Sequence, residues 1–245
     1  MRKALFPLLT VLLFAACKKS TNNTPATHSC VISSIQDSSK DLDVNVKTVL
    51  TYDVNGKLIR TAATGTQNTT RIFQYFGTSM ITISVSQSGM ISEIDTVTLN
   101  ANGYIATLQR FSAGSPPLYI TSSFYYGANN EVSSEVDYDS HGNVDSLAYS
   151  WANGDLLNSG DPFVPVRYTY DTTTAARDGD WFLTQQKLTY GALYAPTKHM
   201  IRSVGVGHNA PLYFFYTIND SARVVSYNTY IGSSVQVTTY HYTCK

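Results

Sequence analysis

The 245-residue chain carries 17 basic and 17 acidic residues, so its formal net charge is zero and no basic surface for nucleic acid is indicated. Only 14 % of its residues are charged, against ~25 % in a typical soluble domain, whereas Tyr alone occurs 18 times. This composition is typical of exported β proteins, whose strands favour Tyr, Thr and Val and whose turns favour Asn and Gly. We therefore expect an all-β chain without a nucleic-acid partner.

The chain opens with a segment typical of export. Residues 1–16 combine Arg2 and Lys3 with a short apolar run and two small residues that precede Cys17. The run is shorter than the ~20 residues that span a bilayer, and the small residues suit a cleavage site. The segment resembles the lipobox of bacterial lipoproteins, although Phe14 stands where an aliphatic residue is usual. The resemblance implies cleavage before Cys17 and lipidation of its thiol; an ordinary secretory signal is the alternative.

Residues 18–29 contain almost no apolar side chains, which is typical of a flexible tether. The expected organisation is a signal peptide over residues 1–16, a lipidated cysteine and tether over residues 17–29, and a single β domain over residues 30–245. We expect the lipid anchor to hold the chain at the outer membrane. Lys18 and Lys19 stand where some surface-exported lipoproteins carry acidic residues, so we expect the domain to face the periplasm. Surface exposure is the alternative.

The β domain is predicted from alternating apolar and polar residues. Such alternation is clear in residues 80–86 and 235–242, and no long stretch shows the apolar spacing of a helix. Between Val44 and Tyr242 the pattern indicates about fifteen strands. The one longer interruption, near residues 158–180, is predicted to be a loop because it contains two prolines and an Asp-Gly-Asp sequence.

A short sequence frame recurs between the predicted strands. A large residue is followed, three and four places later, by Asn or His and then Gly or Asn, after Tyr52, Leu99, Tyr126 and Tyr138. Asn-Gly pairs accept the positive φ of tight hairpin turns, so the frame predicts consecutive hairpins. Because twist curls a sheet of so many strands, we predict an all-β fold in which a long antiparallel up-and-down meander forms a barrel or half-barrel.

The strands do not resemble those of a membrane-spanning barrel. Spanning strands need ~9–11 residues with an apolar face toward lipid. Here the strands are mostly shorter, carry Thr, Ser and Tyr on both faces, and include Gln74, Gln87, Asn228 and Gln236. We therefore expect a soluble barrel.

Two cysteines remain if Cys17 carries lipid. Cys30 lies at the first apolar stretch of the domain, and Cys244 is the penultimate residue. In an exported protein this number permits one disulfide, which would place the first strand beside the last. The alternative is two buried free thiols.

The frames at Tyr52 and Tyr138 have the form Tyr-Asp-x-x-Gly-x-aliphatic. They resemble the tyrosine-aspartate repeats of Rhs-type shells. Together with the lipobox and the tether, they resemble a family of bacterial lipoproteins of unknown function with a porin-like β fold. The resemblance covers nearly the whole mature chain and implies architecture, since the family brings no catalytic or binding residues.

The best metal candidate is the segment that contains Asp137, Asp139 and Asp145. Its carboxylates at alternate positions, with Gly142 at the sixth, resemble the start of a calcium loop. Position twelve is Ala148, so the bidentate Glu of such a loop is missing. A hairpin turn is the favoured interpretation, with calcium as the alternative and no cofactor expected.

Catalytic motifs are weak throughout. The five histidines are scattered without zinc-binding spacing, and no Gly-x-Ser-x-Gly sequence occurs. Paired carboxylates could hydrolyse a glycoside, and the candidates for such a pair are Asp95, Glu93, Glu131 and Glu135. We expect a protein that is not an enzyme, and a glycan-directed hydrolase is the least favoured alternative.

The aromatic residues are the one positive indication of function. Tyrosine rings can stack on sugars or cover apolar ligands while their hydroxyls bind polar groups. The candidate ligand contacts are Tyr125, Tyr126, Tyr168, Tyr170 and Tyr216. The same residues could instead fill the core. The leading hypothesis is a binding module for a glycan, an apolar ligand or an envelope partner; the alternative is an envelope scaffold without a pocket.

Overall fold

The computed structural model describes residues 30–114, 117–161, 163–231 and 233–244, so the predicted signal, lipidation site and tether lie outside the described residues. The described chain forms one helix, α1 (Trp181–Tyr190), and sixteen strands. The strands are β1 (Cys30–Ser39), β2 (Val44–Tyr52), β3 (Leu58–Gly65), β4 (Thr69–Phe76), β5 (Met80–Gln87), β6 (Met90–Leu99), β7 (Ile105–Ser112), β8 (Leu118–Tyr126), β9 (Val132–Asp139), β10 (Val144–Ala152), β11 (Asp155–Gly160), β12 (Val166–Ala175), β13 (His199–Val206), β14 (Leu212–Ile218), β15 (Val224–Ile231) and β16 (Ser234–Cys244).

Every strand pairs antiparallel with its neighbours in sequence, and β1 pairs with β16, so the sheet closes into a barrel. The predicted fold class is therefore confirmed. The predicted disulfide is also confirmed: Cys30 and Cys244 are bonded, 214 residues apart in sequence, where the first residue of β1 faces the last residue of β16. The bond lies at the seam that joins the two ends of the meander.

The predicted loop over residues 158–180 is wrong. This range contains the end of β11 and the whole of β12. The long connection lies instead between β12 and β13, and it contains α1, which alternation did not predict. Its buried residues, Phe182, Thr184 and Gln186, are spaced at i, i+2 and i+4, so the helix shows no apolar stripe. A helix that is packed on several sides loses the periodic signal that sequence analysis uses.

The barrel encloses a core of buried apolar residues. On β5, Ile81, Ile83 and Val85 are at most 6 % exposed. The intervening residues, Thr82, Ser84 and Ser86, face outward. On other strands large apolar side chains also face outward, among them Ile72 on β4, Ile91 on β6 and Phe215 on β14, which are 43 %, 56 % and 55 % exposed. Among the described residues, no helix is both long and apolar enough to cross a membrane.

The two ends of the barrel differ. The end that carries Cys30, Cys244 and the β12–β13 connection is called here the plugged end; the turns at residues 53–57 and 100–104 also lie there. The opposite end, with the turns at residues 40–43 and 140–143, is called the open end. Odd and even hairpins alternate between them, as an up-and-down meander requires.

The recurring sequence frame has a structural explanation in its turns. Asp53 Oδ1 accepts hydrogen bonds from the backbone N–H groups of Asn55 and Lys57, and Gly56 has a φ of 79°. The same two bonds form at Asn100, Asp139 and Asn219. The Asp or Asn therefore caps each turn from inside, as such side chains commonly do.

The aromatic residue that ends a strand has a second role at the plugged end. The hydroxyl of Tyr126 donates to the carbonyl of Ile105, the aliphatic residue that follows the previous turn, at 2.6 Å. Three further tyrosine hydroxyls donate to a backbone carbonyl in this way, Tyr52 to Ile32, Tyr75 to Leu58 and Tyr242 to Val224, and the indole N–H of Trp151 donates to Val132. The accepting residues are all buried. These bonds tie neighbouring hairpins together around the plugged end.

Replacing Tyr126 with Phe should lower the free energy of unfolding by about 1 kcal/mol, because the buried Ile105 carbonyl loses its hydroxyl donor while the ring keeps its packing. Urea unfolding of the variant measures this change. Tyr125→Phe is the matched control, since Tyr125 is 53 % exposed on the outer surface. Equal stability changes in the two variants would show that these hydroxyl bonds do not stabilise the barrel.

Candidate functional site

α1 occupies the interior of the barrel at the plugged end. The ring of Phe182 lies 5.3 Å from that of the inward-facing Tyr168, centroid to centroid. At the other end of α1, Gly191 caps the helix with a φ of 68°. A Cβ at Gly191 would lie 3.1 Å from the ring of Phe73, so only glycine both adopts this conformation and fits against the wall.

Asp180 anchors the start of α1 to the wall. It is fully buried, and its carboxylate accepts hydrogen bonds from the backbone N–H of Leu183 at 3.2 Å and of Ile201 at 2.8 Å. The second bond lies where β13 and β14 separate, since these strands pair only at Ser203–Tyr213 and Val204–Leu212. Burial raises the pKa of Asp180 to about 6, against the opposing effect of these hydrogen bonds. One side chain therefore both caps the helix and fills a gap in the sheet.

The open half of the barrel is not filled by α1. It contains a cavity of about 440 Å³, called here the barrel cavity. Its floor is formed by Gln185, Leu188 and Thr189 of α1. Its walls come from β1 to β4 and from β15 and β16, and include Ile35, Asp37, Val46, Thr48, Thr61, Thr69, Arg71, Tyr227, Gln236, Thr238 and Tyr240. The cavity opens at the open end of the barrel.

Most polar side chains that line the barrel cavity form no hydrogen bond with other residues in the described part of the chain. Thr48, Thr69, Gln185 and Gln236 line the cavity, and none of these side chains forms a hydrogen bond with another residue in the described part of the chain. Their amide and hydroxyl groups supply both donors and acceptors. The cavity therefore offers unpartnered hydrogen-bonding groups to whatever enters it.

One wall of the barrel cavity is aromatic. The rings of Tyr227 and Tyr240 lie 6.0 Å apart, centroid to centroid, and are buried on neighbouring strands. Beside them, the carboxylate of Asp37 accepts a hydrogen bond from the hydroxyl of Thr238. Burial raises the pKa of Asp37, and this bond lowers it in part. Aromatic faces next to polar groups are a common arrangement in ligand sites.

Of the four predicted carboxylate candidates, Glu93 and Asp95 lie together, and Glu131 and Glu135 lie elsewhere. Asp95 is 1 % exposed and forms two hydrogen bonds with the guanidinium of Arg110, at 2.9 and 3.1 Å. Glu93 lies 3.3 Å from Arg110 Nε. Both carboxylates thus contact one arginine, and Arg71 also acts electrostatically on Glu93. Glu131 belongs to the turn between β8 and β9, where its carbonyl accepts from Gly127.

Glu135 lies elsewhere on the inner wall, where its carboxylate accepts a hydrogen bond from the hydroxyl of Tyr149. Burial raises the pKa of Glu135 to about 7, and neighbouring Asp137 contributes in the same direction. Asp137 lies on the same strand two residues away and interacts with this carboxyl group, so two carboxyl groups and the Tyr149 hydroxyl lie together on this part of the inner wall.

The sequence did not predict the contact between Asp155 and His199. His199 Nδ1 lies 2.6 Å from Asp155 Oδ2, and Asp155 Oδ1 accepts from the backbone N–H groups of Lys198 and His199. The two residues are 44 positions apart in sequence, so spacing gave no signal. The contacts fasten the β12–β13 connection to the start of β11.

Four of the five candidate tyrosines face the barrel interior, but none of them lines the barrel cavity, and Tyr168 and Tyr216 contact α1. Tyr126 donates to Ile105, and Tyr168 bonds Ser159. The hydroxyl of Tyr216 accepts from the N–H of Trp181. Tyr170 is largely buried beside them, and burial raises its pKa. Tyr125 faces outward. The tyrosines that line the cavity are Tyr227 and Tyr240, whose inward direction could have been predicted only with the strand register.

The calcium candidate forms a hairpin at the open end. Asp137 and Asp145 are directly opposite each other on β9 and β10, with their side chains on one face. Asp139 instead caps the turn, through its bonds to the N–H groups of His141 and Asn143. In the part of the chain that the structure describes, no group of three His, Cys, Asp or Glu side chains could hold a metal ion.

Comparison with known proteins gives similarity at the level of structure. A porin-like protein of Bacteroides uniformis superposes with a TM-score of 0.60 and 15 % identity, over 87 % of this chain and 96 % of that one. The chain has a porin-like fold. A porin-like protein of Bacteroides vulgatus matches with a TM-score of 0.44 and 14 % identity, over 86 % of this chain and 98 % of the other. No family model matches the sequence of this porin-like barrel, and no curated protein does.

Proposed function

We propose that the chain is a lipid-anchored protein of the bacterial envelope that binds a glycan in the barrel cavity and catalyses no reaction. The observation that carries this proposal is the set of unpartnered polar side chains around a cavity of about 440 Å³. The volume lies within the ~300–1,000 Å³ typical of ligand pockets. A closed barrel needs no such cavity for stability, since packed side chains would fill it.

A glycan fits the chemistry of the lining better than an apolar ligand. A sugar presents hydroxyls that both donate and accept hydrogen bonds, which suits the amides of Gln185 and Gln236 and the hydroxyls of Thr48 and Thr69. The faces of sugar rings pack on aromatic rings, as Tyr227 and Tyr240 offer. An apolar ligand would leave these polar groups without partners, which is unfavourable.

The proposed location rests on the lipobox, whose cysteine would carry the lipid anchor. The lipid on Cys17 would then connect through residues 18–29 to Cys30, a span of at most ~45 Å. Because Cys30 lies at the plugged end, the barrel cavity would open on the side away from the membrane. An outer-membrane anchor that faces the periplasm is the form we propose.

Catalysis is left out of the proposal because of the charge arrangement inside the barrel. A glycosidase needs one carboxyl group as acid and another as base or nucleophile, both free to reach the sugar. Glu93 and Asp95 share Arg110 as their partner. Glu135 and Asp137 interact with each other, and neither lines the barrel cavity. The pair Asp155 and His199 is occupied with backbone contacts.

The glycan proposal predicts that the double variant Gln185→Leu/Gln236→Leu binds sugar at least ~10-fold more weakly than the wild type, because each leucine removes amide hydrogen bonds at similar volume. Saturation-transfer NMR with galactose, galacturonic acid, glucose and N-acetylglucosamine identifies the bound sugar, and titration gives its Kd. The matched control is Gln74→Leu/Gln109→Leu, since both glutamines are exposed on the outer face of the barrel.

Weakened binding only in the inner variant supports the barrel cavity as the site. Equal loss of binding in the inner and outer variants would contradict it, as would the absence of binding to every sugar of the panel. Thermal unfolding of both variants separates a lost contact from a lost fold.

A further inference from the structure

Arg71 is a charged residue that lines the barrel cavity. It lies on β4, opposite Thr61 of β3 and Val85 of β5, both of which are buried on the inner face. The side chain therefore projects inward, and it lines the cavity. In the described residues, its guanidinium forms neither a hydrogen bond nor an ion pair.

The carboxylates nearest to this part of the wall already have partners. Glu93 attracts Arg71 electrostatically, but its carboxylate lies 3.3 Å from Arg110, which Asp95 also holds. Asp37 lies on β1, three strands from β4, and accepts the hydroxyl of Thr238. Arg110 thus forms direct ion pairs within the fold, whereas Arg71 interacts with Glu93 only at longer range and lines the cavity with a guanidinium that forms no hydrogen bond in the described residues.

A guanidinium is a planar fork of donors that binds a carboxylate through two parallel hydrogen bonds. Thr61 stands beside Arg71 on the neighbouring strand, and Thr69 precedes it by two residues on the same face. Their hydroxyls could bind the hydroxyls of a sugar ring whose carboxylate contacts Arg71. The aromatic wall of Tyr227 and Tyr240 encloses the same cavity.

We infer that the glycan bound in the barrel cavity is acidic, and that a uronic acid binds with its carboxylate on Arg71. This inference rests on the proposed function, because it names the class of sugar for the same cavity. It goes further in assigning the charge of the ligand and the residue that selects it.

The test compares two sugars that differ in one group. Galacturonic acid carries a carboxylate where galactose carries a hydroxymethyl group. We expect the wild type to bind galacturonic acid at least ~10-fold more tightly at pH 7, because a bidentate charged pair replaces neutral contacts. Raising NaCl from 50 to 500 mM should weaken galacturonate binding and leave galactose binding unchanged. NMR titration measures both Kd values.

Three variants complete the experiment. Arg71→Leu should abolish the preference for galacturonate, whereas Arg71→Lys, which keeps the charge without the planar fork, should retain part of it. Arg60→Leu is the matched control, since Arg60 lies on the adjacent strand and is exposed on the outer face. Circular dichroism of each variant establishes that it is folded.

The inference would be overturned if galactose bound as tightly as galacturonate, or if Arg71→Leu kept the preference of the wild type. The glycan proposal still stands after such a result if the Gln185→Leu/Gln236→Leu variant binds galactose or galacturonate more weakly than the wild type does. If the protein binds neither galactose nor galacturonate, the inference is overturned. Binding of the other sugars of the panel then tests the proposed function separately.

Discussion

Replacing Cys30 and Cys244 with serine should lower the free energy of unfolding by up to about 5 kcal/mol. The disulfide closes a loop of 214 residues, and in the chain-entropy model a loop of this length gives a stabilisation near that upper value. The bond also fixes the pairing of β1 with β16, which closes the barrel. Equilibrium unfolding in guanidinium, with and without the bond, measures the loss.

A reductant provides the internal control for this prediction. Reduction of the wild type should lower its stability to that of the double serine variant, and the variant itself should not respond. A loss below about 1 kcal/mol in both cases would show that the hydrogen bonds between β1 and β16 close the barrel without help from the disulfide.

Replacing Asp180 with Ala should lower the free energy of unfolding by about 3 kcal/mol or more. The change removes the helix cap at Leu183 and leaves the N–H of Ile201 without a partner at the gap between β13 and β14. A lost cap costs about 1 kcal/mol, and a buried N–H left unpaired costs roughly 1–3 kcal/mol more. Urea unfolding followed by circular dichroism gives the value.

Asp53→Ala is the matched control for this variant. Asp53 also accepts two backbone N–H groups, but it lies at the surface, so its loss should be clearly smaller. If Asp53→Ala and Asp180→Ala lowered the free energy of unfolding equally, the buried hydrogen bonds of Asp180 would stabilise the fold no more than the exposed ones of Asp53.

The pH dependence of stability gives a second readout of the same side chain. Burial raises the pKa of Asp180 to about 6 from its ordinary value of 3.8. Because the folded-state pKa is raised, the favourable contribution is fully present below pH 4 and is lost as the pH rises toward 6. The shift corresponds to about 3 kcal/mol. The difference in stability between wild type and Asp180→Asn should therefore change across this range and be constant above pH 7.

The barrel could be predicted from sequence because its signals are local. Alternation in residues 80–86 fixes which side chains of β5 face inward, and the Asp53 and Asn100 frames mark turns whose capping bonds lie within five residues. The disulfide followed from the small number of cysteines in a chain that we expect to be exported. Each of these inferences needs only neighbouring residues or a count.

The frame at Tyr138 shows the limit of that reasoning. It has the same capped turn as the frame at Tyr52, but it lies at the open end, and Tyr138 and Val144 are 49 % and 58 % exposed. At Tyr52 the aromatic residue is turned inward and bonds the Ile32 carbonyl. Turn chemistry is local, whereas the face that a side chain occupies depends on the register of the whole sheet.

The candidate site could not be predicted for the same reason. The barrel cavity combines α1 with strands from both ends of the chain, and its contacts link residues such as Asp37 and Thr238 that are 201 positions apart. Its boundary is set by how far α1 fills the barrel, and α1 itself lacks a helical apolar pattern. A site whose members meet only through tertiary structure leaves no spacing in the sequence.

The most direct test of the central proposal is a crystal structure of the chain soaked with galacturonic acid. The proposal predicts ordered sugar in the barrel cavity, within hydrogen-bond distance of Gln185 or Gln236 and with its carboxylate on Arg71. A cavity filled by side chains, or sugar ordered only on the outer surface of the barrel, would contradict it.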